Sequence, residues 1–259
     1  MRILLCNDDG IHAPGILALY DAIASLGEVF IAAPLTVQSA TGHGITFRQP
    51  LIIKELEPRP GLRGIAIDGR PADCIKLAVA DLWPAKFGKG SRPDLVVSGM
   101  NMGANVGINV LYSGTVAAAL EAAFLGLPAL AVSLHHGNSS PRYDVAARHA
   151  RAVIDRILAA GGVKPGHCLS LNVPITEREG PTPPAAVCPM NTHGLVDAYQ
   201  RSTNPLGETY FWSAGTPMGF HATEPGSDVQ SLVEGKITVT PLKFDLTAYD
   251  DLAAWKARI

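Results

Sequence analysis

The stretch Ile3-Leu-Leu-Cys-Asn-Asp-Asp-Gly10 decides the fold class. Four apolar residues run without alternation and stop at four turn-forming residues, the pattern of a buried strand that ends in a turn. Continuous apolar strands belong to parallel sheets covered on both faces; strands with one wet face alternate. Outward from this run, residues 15–26 place Ile16, Leu19, Tyr20, Ile23 and Leu26 at amphipathic-helix spacing, and residues 28–33 form the next strand, closed by Pro34. Strand-like runs follow at 51–56 and 64–68, which read as a hairpin, and at 94–97, 128–134 and 168–173. Helical patterns cover 72–82, 113–125 and 143–159. The alternation predicts an α/β fold with a mostly parallel sheet flanked by helices.

The character changes after about Pro174. Pro181, Pro183 and Pro184 crowd the next stretch, short strand-like pieces follow at 209–212 and 236–240, and a last helix is expected over 248–258. We therefore divide the chain into a core over 1–174 and a β-rich C-terminal extension over 175–259. The extension reads as an arm, strand and terminal helix within one domain rather than as an independent core.

Composition narrows the function classes. The chain has 259 residues, 47% hydrophobic and 17% charged, with 21 basic and 23 acidic side chains. That is ordinary globular composition and excludes disorder, coiled coil and collagen. A general nucleic-acid or membrane-surface binder shows a basic excess, which is missing here. The longest apolar stretch, residues 116–134, is broken by Glu121, Gly126 and Pro128, so no membrane span is expected. The first ten residues are too short and too acidic for a signal peptide. Cys6, Cys74, Cys168 and Cys188 lie far apart with no C-x-x-C, so reduced thiols in a cytoplasmic protein are expected rather than a disulfide scaffold or zinc ribbon.

In open α/β sheets the ligand site lies outside the carboxyl ends of the strands. Asp8 and Asp9 stand at such an end, where two carboxylates in one turn can converge on a hard divalent cation or form a plain Asn-Asp-Asp-Gly turn. A dinucleotide fold wants Gly-x-Gly-x-x-Gly at this place, and acids there repel pyrophosphate, which disfavours NAD and FAD. The phosphate-loop pattern of many ATPases is absent as well. A second loop, Ser98-Gly-Met-Asn101-Met-Gly103-Ala-Asn105-Val-Gly107, follows another strand and offers amide groups for a cation or a phosphate. Ser113-Gly114-Thr115 opens an Ala-rich helix; Ser113 is a natural N-cap, and a helix N-terminus is a ready anion site. Residues 35–50 form a polar connection longer than ordinary, and Ser39 within it reads by itself as a solvated hydroxyl. His12 and His43 lie near these motifs and are more often surface or structural imidazoles, and Glu121 reads as structural. His135-His136 follows a strand end with no obvious third ligand.

With these motifs in place, the chain resembles the SurE (survival protein) family of metal-dependent nucleotidases. The resemblance runs through residues 3–15, Ala33-Pro34 with Ser39, Gly69 with Pro71-Ala-Asp-Cys74, Val97-Ser-Gly-Met-Asn101 and Gly103-Ala-Asn-Val-Gly107. It continues through Tyr112-Ser-Gly-Thr-Val-Ala-Ala-Ala119, Ala129-Leu-Ala-Val-Ser133, Asn172-Val-Pro174, Gly226-Ser-Asp228 and Val239-Thr-Pro-Leu242. Arg70 departs from the family's smaller residue before Pro71, and Met100 replaces a common Ile. The resemblance implies a Rossmann-like core whose C-terminal extension serves oligomerisation, as a homodimer or homotetramer. It implies one divalent cation per subunit, Mg²⁺ or Mn²⁺, held by Asp8, Asp9, Ser39 and Asn101. It further implies a substrate phosphate at Asn105, Ser113, Gly114 and Thr115, with Asp8, Asp9 and Asn105 in catalytic roles.

The expected activity is hydrolysis of nucleoside 5′-monophosphates, with 3′-monophosphates and short polyphosphate as further substrates and no stable nucleic-acid or membrane partner. The alternative is a nucleotide-binding sensor that uses the same residues without turnover. A signalling receiver domain also places paired acids after its first strand, but the later strand ends here carry Ser-Gly-Met-Asn and Ser133-Leu-His-His instead of its Asp and Lys. The adjacent acids equally spoil the Asp-x-Asp spacing of aspartyl-phosphate phosphatases.

Overall fold

In a computed structural model that describes residues 1–259, the first strand, β1 (Arg2–Cys6), is the apolar run at the start of the chain. The elements that follow it are α1 (Pro14–Ile23), β2 (Glu28–Pro34), β3 (Ile53–Arg59), β4 (Leu62–Ile67), α2 (Pro71–Leu77), α3 (Trp83–Phe87) and β5 (Leu95–Met102). Then come α4 (Gly114–Phe124), β6 (Ala129–Leu134), α5 (Tyr143–Ala159), β7 (Cys168–Val173) and β8 (Ala185–Val187). The chain closes with β9 (Tyr199–Thr203), β10 (Thr209–Ser213), α6 (Asp228–Val233), β11 (Ile237–Leu242) and α7 (Tyr249–Lys256).

The side chains of β1 alternate between two cores because successive residues point to opposite faces of a sheet. Ile3 and Leu5 pack with Ile16, Leu19 and Ile23 of α1 and with Ala150, Val153 and Ile154 of α5. Leu4 and Cys6 pack on the other side with Cys74 and Ile75 of α2 and with Ala118, Ala119 and Ala122 of α4. All four residues of the run are fully buried, each large aliphatic side chain contributing about 1.5–3 kcal/mol. This double burial is why the run shows no alternation in the sequence.

Nine strands form the central sheet in the order β3-β4-β2-β1-β5-β6-β7-β11-β8. The pairs from β4 through β7 are parallel, β3 is antiparallel to β4 as the expected hairpin, and β11 is antiparallel to β7. The chain leaves β1 to one side through β2 and returns to pair β5 on its other side, so the order reverses at β1. A crevice at such a switch point is where α/β sheets bind ligands. β8 and β11 belong to the central sheet, whereas β9 and β10 form a separate antiparallel ribbon.

Several boundaries differ from the sequence reading. β5 runs on through Ser98-Gly-Met-Asn-Met because Ser98, Gly99, Asn101 and Met102 continue to pair with β6, with an irregularity between Gly99 and Asn101. The helix expected over 72–82 is α2 followed by a wider turn at Ala78–Leu82 that leads into α3. β8, β9 and α6 carry too few periodic residues to stand out in the sequence. Residues 35–52 contain no helix or strand, in keeping with the long connection expected over 35–50. No helix is long and apolar enough to cross a membrane, and all four cysteines are free and buried.

Candidate functional site

β1 and β5 are parallel neighbours, so their carboxyl ends open on the same edge of the sheet. After β1 the chain turns at Asn7, whose side-chain amide donates to the Gly10 carbonyl at 2.8 Å. The turn presents Asp8 and Asp9 in succession. Asp8 is buried and accepts a short hydrogen bond from the Thr115 hydroxyl through Oδ1. Gly114 lets the start of α4 press against it: a Cβ at Gly114 would lie 2.9 Å from the Asp8 Cβ. Asp9 is half-buried, and its Oδ2 accepts the Met102 backbone N–H at 2.9 Å, tying the end of β1 to the end of β5.

Burial pushes the Asp8 carboxyl up to about 6; hydrogen bonds from Thr115 oppose the shift and the charge of Asp9 adds to it. Burial likewise raises Asp9. Two adjacent carboxylates losing hydration together make a place where positive charge is strongly favoured.

Asn101, at the end of β5, donates its amide to the Gly103 carbonyl at 2.7 Å, which leaves its side-chain carbonyl oxygen as the free group. Asn105 is fixed from both sides by Asn172 on β7: its backbone N–H donates to Asn172 Oδ1 at 2.8 Å, and its carbonyl accepts from Asn172 Nδ2 at 3.2 Å. The Asn105 side-chain amide donates to Ser133 Oγ at 2.8 Å. Ser113 caps α4, its hydroxyl accepting the Val116 N–H at 3.1 Å, as its sequence position predicts. Ser39 is exposed on the loop after β2, next to Ala40, the one non-glycine residue in the left-handed region at φ 56°.

Asp8, Ser39, Asn101, Asn105 and Ser113 line one open cavity of about 640 Å³. Asp9 flanks it through the Met102 contact, and Gly114 and Thr115 stand behind Ser113 against Asp8. The cavity takes neither His12 nor His43. A larger cavity of about 780 Å³ has His43 in its lining, but that lining is mostly apolar and lacks the acidic pair. Glu121 does not line the cavity with the acids and is bonded to His43 and Lys76.

Sequence reasoning gave no role to further lining residues, His135, His136 and Asn138 after β6 and Thr216, Pro217 and Met218 after β10. Asn109 holds the second of these segments, donating to the Pro217 carbonyl at 2.6 Å. The strand-end rule that singled out Asp8 applies equally to His135-His136. No local signal marks residues 216–218, which are remote in the chain.

The donor chemistry fits a hard divalent cation. No cluster of three or more His, Cys, Asp or Glu side chains is present, so a zinc-type nitrogen and sulfur cage is not available. The Asp8 carboxylate, the Ser39 hydroxyl and the Asn101 side-chain carbonyl belong to residues that line one cavity, with Asp9 beside it, and all are oxygen donors of the kind Mg²⁺ and Mn²⁺ prefer.

Comparison with known proteins gives a consistent result. The family described as Survival protein SurE matches residues 3–194. A protein named 5′-nucleotidase SurE 1 from Thermus thermophilus is 43% identical over 259 residues, covering 98% of this chain and 96% of its own length. The 5′-nucleotidase SurE of Rhodopirellula baltica is 44% identical over 258 residues, with 99% and 98% of the two chains covered. The crystal structure of the SurE protein from Aquifex aeolicus superposes with a TM-score of 0.82 at 32% identity, covering 100% of this chain and 99% of that one.

Proposed function

This chain belongs to the SurE family, and we propose that it is a divalent-metal-dependent phosphomonoesterase that hydrolyses nucleoside 5′-monophosphates to nucleoside and phosphate. The observation that carries the reading is the convergence of Asp8, Ser39 and Asn101 with Asn105 and the N-terminus of α4 on one cavity at the switch point of the sheet.

Asp8, Asp9, Ser39 and Asn101 would hold one cation, Mg²⁺ or Mn²⁺. Bound there, it supplies Lewis-acid polarisation of a phosphoryl oxygen and lowers the pKa of water. The remaining chemistry belongs to the chain. Asp8 Oδ1 and Asp9 Oδ2 are engaged by Thr115 and Met102, which fixes both carboxylates and leaves one oxygen of each for the site. The start of α4, at Ser113, Gly114 and Thr115, directs the positive end of its dipole at the substrate phosphate. Asn105, held rigid by Asn172 and Ser133, stabilises charge on the equatorial oxygens with its remaining amide hydrogen. Water adds to phosphorus, the bond to the ribose oxygen breaks, and that oxygen takes up a proton. The proton of the attacking water passes to one of the two aspartates.

The cavity exceeds what a phosphate and a cation fill, and the wall of His135, His136 and Met218 leaves room for the nucleoside. 3′-Monophosphates and short polyphosphate present the same phosphoryl chemistry and complete the proposed substrate range. Exposed apolar residues on β9, β10 and α7 support a homodimer or homotetramer assembled through residues 175–259. Four free thiols suit the reducing cytoplasm.

The test is phosphate release from a panel of nucleoside 5′- and 3′-monophosphates, polyphosphate and a small aryl phosphate. It is run with Mg²⁺, with Mn²⁺ and with chelator, beside Asp8→Asn. Metal-dependent release that the variant loses supports the assignment. Nucleotide binding without release from any substrate overturns it in favour of a sensor.

A further inference from the structure

Ser39 sits in a segment that has no helix or strand of its own, yet a metal ligand must be held to a fraction of an ångström. Its neighbour Ala40 adopts a left-handed conformation that an L side chain disfavours, and such conformations persist only where the surroundings impose them. The surroundings therefore decide where Ser39 stands, and the structure shows what they are.

Gln38 donates its backbone N–H to the Asp8 carbonyl at 2.8 Å, just before Ser39. Gly42 donates to the Tyr112 carbonyl at 3.0 Å, just after it. His43 Nε2 meets Glu121 Oε2 at 2.7 Å, and Lys76 donates to Glu121 Oε1 at 3.2 Å. Further along, Thr46 donates its backbone N–H at 2.9 Å and its hydroxyl at 2.7 Å to Asp73. The loop thus rests on two carboxylates borne by α4 and α2, and His43, which reaches the first of them, stands only four residues beyond Ser39.

Glu121 is an unusual group for its place. Its side chain is 7% exposed, on a helix whose residues from Val116 onward are otherwise alanine and apolar, while that of His43 is 40% exposed. A buried carboxylate without partners is strongly unfavourable, so Glu121 requires the two groups that reach it. Burial alone would raise its carboxyl, and the hydrogen bonds from His43 and Lys76 outweigh that and hold it below its usual range. α4 is also the helix whose first turn presses on Asp8, so one rigid element fixes both Asp8 and, through Glu121, the loop.

We propose that Glu121 is a positioning residue for the catalytic site: its carboxylate holds His43, and the short tether from His43 to Ser39 presents the Ser39 hydroxyl to the cation shared with Asp8, Asp9 and Asn101. The inference rests on the proposed metal site and adds to it a part that touches neither cation nor substrate. It separates Glu121 from a residue needed only for folding, because its contribution passes through one hydroxyl.

The test is calorimetric titration of the purified full chain with Mn²⁺, without nucleotide, together with amide hydrogen exchange of residues 35–50. Ser39→Ala is expected to weaken Mn²⁺ about tenfold, and His43→Ala and Glu121→Ala to weaken it by a similar or smaller factor, as supporting groups behind metal ligands do. The double variant Ser39→Ala/His43→Ala should bind no more weakly than Ser39→Ala alone, since both changes remove the same ligand. Glu121→Gln, which still accepts from His43, should retain most of the affinity. Exchange should quicken over 38–46 in His43→Ala and stay unchanged in α2 and α4.

Additive losses in the double variant, or His43→Ala binding and exchanging like the parent chain, overturn the positioning role. If Asp8→Asn and Ser39→Ala both leave Mn²⁺ affinity intact, the metal site itself falls and this inference with it. Should Glu121→Ala fail to fold, His43→Ala decides the matter, because His43 lies on the exposed loop.

Discussion

With 4% of its surface exposed, Asp8 gives up most of the hydration that a carboxylate needs, and Asp9 beside it adds like charge. The folded protein therefore binds a proton at Asp8 more tightly than the unfolded chain, up to about pH 6. By linkage, a carboxyl raised on folding costs stability as pH climbs from its unfolded value near 3.8 through 6, and the full cost remains above that. For a shift of this size the cost is about 2–3 kcal/mol as an upper figure. In chelator, the parent chain is expected to lose part of its thermal stability between pH 4 and 7, and Asp8→Asn to be the more stable protein at pH 7 while losing activity by about 10²-fold or more. Differential scanning calorimetry across pH, with and without Mn²⁺, checks both signs; a variant less stable than the parent at pH 7 in chelator contradicts the account. The strand-end rule made Asp8, Asp9 and Asn101 legible in the sequence. Ser133 and Asn172 were not, because their roles arise from register: Asn101 pairs with Ser133, and Ser133 with Asn172, across three strands. No residue spacing encodes that alignment.

Among the elements, α4 joins the most functions and shows most clearly what local patterning conveys. Its cap at Ser113, its alanine run and its end near Phe124 follow from composition and capping alone. Its approach to Asp8 does not, since that depends on the absence of a side chain at Gly114 judged against a strand more than a hundred residues earlier. Gly114→Ala isolates this contact. In an open helix the change is favourable by about 1 kcal/mol, but here the added methyl would meet Asp8 Cβ at 2.9 Å and the Pro71 Cγ at 3.1 Å. Asp8 must shift, and a displaced acid in a metal site costs more in rate than in stability. The expected outcome is a melting temperature within a few degrees of the parent and a fall in kcat/KM of about tenfold or more. Large unfolding with activity retained per folded molecule would show the reverse. The element boundaries that went unread have the same origin: β5 extends because β6 offers partners to Ser98 and Asn101, a pairing that no window on residues 94–107 contains.

At the scale of the whole molecule, the fold places its site by topology. Strand order reverses at β1, so the acids after β1 and the amides after β5 meet without either segment having to reach across the sheet. Part of the cavity lining comes from far along the chain, at residues 216–218, shortly after β10. That connects the cavity to the ribbon, whose own surface is unusual. Tyr210 and Trp212 face one side of the antiparallel pair and Phe211 the other, and all three are exposed, Trp212 by 67%. A ribbon apolar on both faces packs neither of them on its own chain, and a two-stranded sheet has little stability alone. In the proposed assembly a second copy of the chain would supply that surface. Trp212→Asp combined with Phe211→Asp should therefore shift the chain to a smaller species in sedimentation velocity, with little change in core stability. If residues 216–218, which line the cavity, flank the nucleoside as the proposed function has it, the change should also raise KM for nucleoside monophosphates more than for a small aryl phosphate. A parent chain that already sediments as a monomer would refute assembly through the ribbon. An assembly that survives both substitutions would place the interface elsewhere.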